Sequence, residues 1–470
     1  MEELNQIVQN VSGFVWNSLL IFLLIGTGIF YTIKLKFIQV RKFGEGYTKV
    51  VKGVNLNGEA AGAEGMSSFQ SLATAVAAQV GTGNLAGAAT AIAAGGPGAI
   101  FWMWMSAFFG MATVYAEAVL GQVYKKKIGG EVIGGPAFYI SEGLGENWFS
   151  KGLAAFFGFS CILALSFMGN AVQSNSIAAA FSNEFPIPPV YVGIGVAVVS
   201  GFIFWGGTQR IASFTEKIVP VMAGLYVGAS LIIVCMNVTH IFPAIKMIFV
   251  GAFNPTAVMG GAFGITIKQA IRFGVARGLF SNEAGMGSTP HAHAVAKVDH
   301  PCEQGAVAII TVFIDTFVVL TCTALVIIMK VDLTNKALID SIPGIALTQT
   351  AFKLALGNLG GVFIAVCLFF FALSTIIGWY YFGIANIKYL FGDKAMNIYK
   401  VIVICFILLG SMAKVDLVWN LSDLFNGLMA LPNLIALLVL YKLVVKATDE
   451  YMEFHPRKKC EKIKEETAIN

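Results

Sequence analysis

Apolar residues run through the chain in blocks of about twenty, separated by short polar stretches, rather than in the alternating or 3.6-residue periods of soluble elements. Such blocks cover 14–33, 67–93, 98–124, 152–181, 190–207 and 218–238 in the first half. In the second half they cover 264–296, 305–329, 359–388, 399–413 and 418–445. Each is read as a membrane-crossing helix, giving about eleven spans, because a bilayer core needs roughly 20 apolar residues. Lys34, Lys36, Arg41, Lys42, Lys49 and Lys52 follow the first block, Lys125, Lys126 and Lys127 the third, and Arg210 and Lys217 flank the polar stretch before the sixth. Basic loops mark the cytoplasmic side. The acidic N-terminus (Glu2, Glu3) is therefore expected outside, and the tail with Arg457, Lys458 and Lys459 inside. The turns GGPG (95–98) and EFPIPP (184–189) and the region 330–356 are then external, and 239–262 is an external, partly interfacial connection.

Two of the blocks are interrupted. From Phe69 to Ala94 there is no charge, yet Gly81, Thr82, Gly83 and Asn84 break the stretch near its middle. Glycine tolerates unwound backbone, and unwound backbone at membrane depth persists only where protein or a polar cavity covers it. Residues 83–87 (GNLAG) are echoed by residues 281–285 (SNEAG), which interrupt the seventh block. The first interrupted segment runs outward and the second inward. Two interrupted segments leading oppositely oriented halves are the pattern of an inverted-repeat transporter with a site near the midplane. The chain divides accordingly into an extra helix and basic loop (1–65), a first five-helix repeat (66–240) and an external connection (241–263). A second, inverted five-helix repeat (264–446) and a cytoplasmic tail (447–470) complete it.

Composition agrees and narrows the function. Of 470 residues 57% are hydrophobic and 12% charged, with mean hydropathy +0.76; soluble domains carry about 25% charged residues. A soluble enzyme is excluded. No nucleophile–base pair, metal-ligand cluster or nucleotide loop suggests a membrane enzyme, and no span carries the polar stripe of a channel. No cofactor, nucleic acid or obligate protein partner is implied. The seven cysteines lie mostly in apolar runs and read as small hydrophobes. Nothing resembles a cleaved signal peptide.

A broken helix presents N–H groups to an anion at one end and carbonyls to a cation at the other. At the first break the N–H groups of Thr82 and Gly83 suit a carboxylate, and the carbonyls of Ala77 and Val80 suit sodium. Around the second, the carbonyls of Gly278 to Ser281 suit an ammonium group. The hydroxyl pair Ser374–Thr375, mid-span in FFFALSTIIGW (369–379), is placed to complete a sodium shell, although back-bonding to the preceding turn is the plainer reading. Asp315 is a deep intramembrane carboxylate and a coupling candidate. Glu117 is a second intramembrane carboxylate and a candidate on the same ground, with the plainer reading that it lies near the cytoplasmic end, solvated or paired with a basic neighbour. Arg272 and Arg277 flank the outer half of the second broken helix, and Arg277 suits a gate with a carboxylate the sequence does not identify. His291 and His293 lack partners at metal-ligand spacing.

The stretches GTGNLAG, GGPGAIFWMWMSAFFGMATVYAEAVLG (95–121), GNAVQSNS (169–176), SNEAGMGS (281–288) and STIIGWYYFG (374–383) resemble the alanine or glycine:cation symporter (sodium:alanine symporter) family. The similarity spans about residues 14 to 445. It implies an all-α membrane protein with a LeuT-type fold of two inverted five-helix repeats and one extra N-terminal helix. It also implies a transporter in the cell (plasma) membrane that imports alanine or glycine with sodium; proton coupling on the same fold is the alternative. The resemblance places the substrate on Thr82, Gly83, Gln173, Phe280 and Trp379, with Gln79, Ser281 and Asn282 beside them. Sodium, a co-transported ligand rather than a cofactor, falls at Ala77, Val80, Ser374 and Thr375. Phe280 and Trp379 would wall the pocket and limit side-chain size.

Overall fold

The computed structural model describes residues 2–53, 65–259, 265–342, 344–413 and 415–453. The distal part of the basic loop (54–64), the end of the external connection (260–264) and the tail residues Arg457, Lys458 and Lys459 lie outside the described residues. Among those described, seven helices are long and apolar enough to cross a membrane. They are Gly98–Val123, Trp148–Glu184, Gly207–Met236, Pro301–Lys330, Asn358–Phe391, Asp393–Met412 and Val418–Val439. Shorter apolar helices, among them Ile21–Lys34 and Pro189–Trp205, pack beside them. Large side chains such as Phe22, Phe202, Leu225, Phe242 and Ile398 point away from the bundle, as a lipid-facing surface requires.

The two interrupted helices open on the same device. Ser67 accepts the Gln70 N–H at 3.1 Å while the Gln70 amide accepts the Ser67 N–H. Thr266 and Gln269 do the same at the start of Ile267–Asn282. These reciprocal caps satisfy orphan N–H groups at each start. The first interrupted helix runs Ser68–Gln79, unwinds at Val80 and Gly81, and resumes through a π-helical turn (Gly83–Gly87) into Ala88–Gly95. The second runs Ile267–Asn282, unwinds over 283–289 and resumes as Pro290–Ala294.

One element departs from the all-helical expectation. Lys126–Ile128 pairs antiparallel with Glu131–Ile133 across a turn in which Gly129 (φ 60) and Gly130 (φ 82) both take positive φ. Two consecutive left-handed positions define the tight hairpin turn that glycine permits. The hairpin sits at the end of the molecule that carries the basic loops, where Glu131 pairs with Lys388 at 2.7 Å and accepts from Thr208 at 3.0 Å.

The N-terminal helix, continuous over 2–34, lies along the helix Val415–Val439. Trp16 Nε1 donates to the Asp423 carbonyl at 2.8 Å, and the Tyr31 hydroxyl donates to the Leu437 carbonyl.

Candidate substrate and cation site

At the first break the freed N–H groups are taken by side-chain amides. Gly81 N–H donates to Asn84 Oδ1 at 2.9 Å and Thr82 N–H to Gln173 Oε1 at 3.2 Å. Gln173 belongs to the 148–184 helix, so this amide joins the break to a separate element. The two interrupted helices meet here. A Cβ on Gly83 would lie 2.9 Å from Ser281 Cα, which explains glycine at that position. Gln79 Nε2 donates to the Asn282 carbonyl at 2.6 Å and ties the end of one half-helix to the end of the other.

Ser374 and Thr375 reach the same break from the opposite side. Thr375 Oγ1 lies 3.1 Å from Ala77 O and 3.3 Å from Val80 O; Ser374 Oγ lies 3.3 Å from Ala77 O. Both hydroxyls also sit within bonding distance of Phe371 O, at 2.8 and 3.0 Å, which is the back-bonding read from the sequence. A hydroxyl has one proton to give. With that proton on Phe371 O, four oxygens face one another with no proton between them, and a hard cation suits such a group. The close approach depends on Gly378, where a Cβ would fall 2.8 Å from Ala78 Cβ.

The second break is surrounded by buried carboxylates. Asp315, in a π-helical stretch of the 301–330 helix, accepts from Asn84 Nδ2 (2.7 Å), Ser281 Oγ (3.0 Å) and Thr316 Oγ1 (2.8 Å). It thereby touches both breaks. Thr316 in turn accepts from Asn282 Nδ2 at 3.2 Å. Glu117 corrects its sequence reading. It is fully buried, has no basic partner among the described residues, and accepts from Gly287 N–H (2.9 Å), Gly285 N–H (3.3 Å) and Asn433 Nδ2 (2.6 Å). Glu283 accepts from Trp379 Nε1 and Ser288 Oγ. The break itself also falls later than expected, because the helix carries on through Asn282 and Glu283 N–H still bonds Leu279 O at 2.8 Å. The Leu279 carbonyl is therefore not free, and the carbonyls released at this break lie at its C-terminal edge.

Phe280 and Trp379 are both buried and meet edge to face, with ring centroids 6.3 Å apart. Phe280 also packs on Trp419 at 5.0 Å, a residue not singled out from the sequence. The Arg277 guanidinium lies over both Phe280 and Trp419 and pairs in two-pronged fashion with Asp423 (2.8 and 3.2 Å). Asp423 is thus the partner the sequence left open. A cavity of about 320 Å³ opens beside this pair, lined by Arg272, Phe273 and Trp16 among others. Arg272 rests over Phe273. His291 bonds Ser288 O (2.6 Å) and Asn386 (2.9 Å) and stacks on Phe382, while His293 bonds Gln304 at 2.8 Å. Among the described residues no group of three or more His, Cys, Asp or Glu is arranged for a metal.

Five buried polar atoms of the first interrupted helix and of the helix that carries Gln173 have no protein partner: Gln79 Oε1, Thr82 Oγ1, Ser174 Oγ, and Asn170 Oδ1 and Nδ2. Asn170 and Ser174 escaped the sequence reading. Their signal was the spacing 170, 173, 174, which puts three polar side chains on one face of an apolar helix. A buried polar group without a partner costs about 1–3 kcal/mol, so these atoms are candidates for pairing with a bound molecule.

Comparison with known proteins gives the family and the fold. Residues 1–466 match the sodium:alanine symporter family. The chain is similar to the sodium/alanine symporter AgcS of Methanococcus maripaludis, 42% identical over 448 residues that cover 95% of this chain and 97% of that one. It is 39% identical to the probable sodium/glutamine symporter GlnT of Bacillus subtilis, over 95% and 91% of the two chains. The crystal structure of MhsT in complex with L-phenylalanine superposes with a TM-score of 0.55 at 13% identity, covering 83% of this chain and 100% of that one. That likeness gives a LeuT-like arrangement of helices.

Proposed function

Because the chain belongs to the sodium:alanine symporter family, whose members are membrane transporters rather than enzymes, we propose that it imports alanine or glycine with sodium by alternating access. The observation that carries this reading is the group of oxygens formed by Ala77, Val80, Ser374 and Thr375, which joins the first broken helix to the 358–391 helix. Sodium held there ties two elements that must move relative to one another. It also fixes the break whose N–H groups receive the substrate.

The substrate carboxylate takes the Thr82 and Gly83 N–H groups, displacing the Gln173 oxygen, and Gln173 turns its amide to the ligand. The ammonium group meets the carbonyls at the C-terminal edge of the second half-helix, near Phe280, Ser281 and Asn282, with Gln79 holding the two edges together. Phe280 and Trp379 close the pocket around a methyl group or a hydrogen. Eleven spans in two inverted repeats of five, preceded by one extra helix, fit the order of elements and the shared capping boxes at Ser67 and Thr266. The end bearing the basic loops faces the cytoplasm of the plasma membrane, N-terminus outside and C-terminus inside. On that orientation Arg277–Asp423 closes the external path.

A second reading, proton coupling on the same fold, is favoured by Asp315, a buried carboxylate with no basic partner among the described residues and with contacts to both breaks. Uptake of labelled alanine into proteoliposomes separates the two. A sodium gradient at constant pH should drive accumulation, and a proton gradient without sodium should not. Accumulation driven by protons alone would overturn sodium coupling. Competition by glycine and by glutamine in the same vesicles sets the substrate range.

A further inference from the structure

Glu283 occupies a conformation that favours another residue. It ends the Ile267–Asn282 helix in the left-handed region, φ 56, one of three non-glycine residues with positive φ among those described. Glycine is the inexpensive choice there, and a side chain with a branch-free but bulky body carries a backbone penalty. A glutamate at such a position is accounted for by what its carboxylate does. One oxygen accepts from Trp379 Nε1 and the other from Ser288 Oγ. The carboxylate is 1% exposed and holds Trp379, which is 2% exposed, from the far side of the indole.

The indole has little freedom left. A Cβ on Gly169 would fall 2.5 Å from Trp379 Cζ3 and 2.7 Å from Cε3, so the six-membered ring lies flush against bare backbone of the 148–184 helix. Phe280 meets it edge to face, with an interplanar angle of 86°. Packing on two sides sets the plane of the ring, and the bond from Nε1 to Glu283 sets its rotation within that space. Ser288 stands at the other end of the unwound stretch. Glu283 therefore spans the second break, with the aromatic wall at one oxygen and the start of the resumed helix at the other.

From this geometry we propose that Glu283 is the positioning residue for side-chain selection: it does not touch the substrate, and it sets pocket size by fixing the Trp379 indole. The inference rests on the reading of Trp379 as a pocket wall. It adds that the width of the pocket is read from the state of the second break. When 283–289 rearranges, the carboxylate moves and the indole is released with it.

The test is sodium-driven uptake of labelled alanine in proteoliposomes, with unlabelled alanine and leucine as competitors, scored as the ratio of their half-inhibiting concentrations. Glu283→Ala should lower the leucine-to-alanine ratio by about tenfold, the scale on which a tight apolar pocket discriminates one or two methylenes. Glu283→Gln keeps an oxygen for the indole N–H and an amide for Ser288, and should hold the ratio within about threefold of the parent. In a Trp379→Phe background, which keeps an aromatic wall without the N–H, Glu283→Ala should add nothing, since the two changes remove one interaction. If Glu283→Ala transports too little alanine to score, Ser288→Ala, which frees one carboxylate oxygen, should shift the ratio in the same direction by less. A ratio unchanged in Glu283→Ala but lowered in Trp379→Ala overturns the role of Glu283 and leaves the wall standing. A Gln variant as permissive as the Ala variant overturns it too, by assigning the effect to charge. A ratio unchanged in Trp379→Ala itself removes the wall, and the inference with it.

Discussion

The first and second breaks share a backbone plan and differ in what surrounds them. At the first, the groups on the freed backbone are neutral, the amides of Asn84 and Gln173 on the N–H groups and the hydroxyls of Ser374 and Thr375 near the carbonyls, and Asp315 reaches it through the Asn84 side chain. At the second they are carboxylates, with Glu117 on the Gly285 and Gly287 N–H groups, Glu283 across the unwound stretch and Asp315 on Ser281. The consequence is a division of labour. Hydrogen bonds to these carboxyl groups hold the second break in shape without a ligand. The first gathers oxygens and buried polar atoms without protein partners, which on the proposed function receive the cation and the substrate. A shared backbone plan at the two breaks therefore does not imply equal roles.

The comparison breaks most severely at Glu117. Glu117→Leu strands two buried backbone N–H groups and one N–H of the Asn433 amide, which keeps its bond to Gly285 O, each at about 1–3 kcal/mol. The largest loss of stability, several kcal/mol, is expected there, read as a fall in the melting temperature of the detergent-solubilised protein, with Glu117→Gln recovering part. Gly83→Ala comes next. Its methyl would sit 2.9 Å from Ser281 Cα, backbone against backbone, and overpacking of that kind costs about 1–3 kcal/mol. It should push the two breaks apart, lowering the melting temperature less than Glu117→Leu while abolishing uptake.

Thr375→Val tests the first break alone. It keeps the shape and deletes one oxygen, so sodium affinity should weaken by about tenfold, on the order of 1.4 kcal/mol. Alanine affinity should recover at high sodium, because the two bindings strengthen each other by one common factor. Isothermal titration of alanine across a sodium series measures it, and an unaltered sodium dependence would place the ion elsewhere. The smallest expected effect is on stability in Asn170→Ala. Its amide has no partner to lose, so the melting temperature should stay within a degree or two, by the roughly 2–4 °C that 1 kcal/mol moves domains of 150–250 residues, while alanine affinity falls a few-fold. A clear drop in melting temperature would make Asn170 structural.

The neutral break was legible because its signals are local. Glycines in an uncharged run, and a hydroxyl pair mid-span, announce themselves in a stretch of apolar residues. The carboxylate-lined break was legible only in outline. SNEAG located it, but the turn that stops the helix is made by Glu283 in a left-handed conformation, which no local pattern distinguishes from a helical glutamate. Glu117 looked like an end-of-helix carboxylate; its partners are backbone N–H groups 168 and 170 residues away. Asp423, the partner of Arg277, lies 146 residues on. Asn170 and Ser174 are distinguished by partners they lack, a property that exists only once the neighbours are in place. The Gly129–Gly130 hairpin was concealed in a polar loop because three-residue strands are too short for a period to show.

The bonds from Trp16 to Asp423 and from Tyr31 to Leu437 have a further consequence during biosynthesis. They join an early-made helix to a late-made one, and Trp16 and Asp423 are 407 residues apart. At a translation rate of ~5–20 residues per second, roughly 20–80 s pass between the emergence of the two partners. Through that interval the early helix lacks these late partners, while the Gly98–Val123 helix, against which Gly28 packs closely at Phe109, is already made. Completion of this contact thus awaits synthesis of Val415–Val439, a late-made helix that packs against an early-made one.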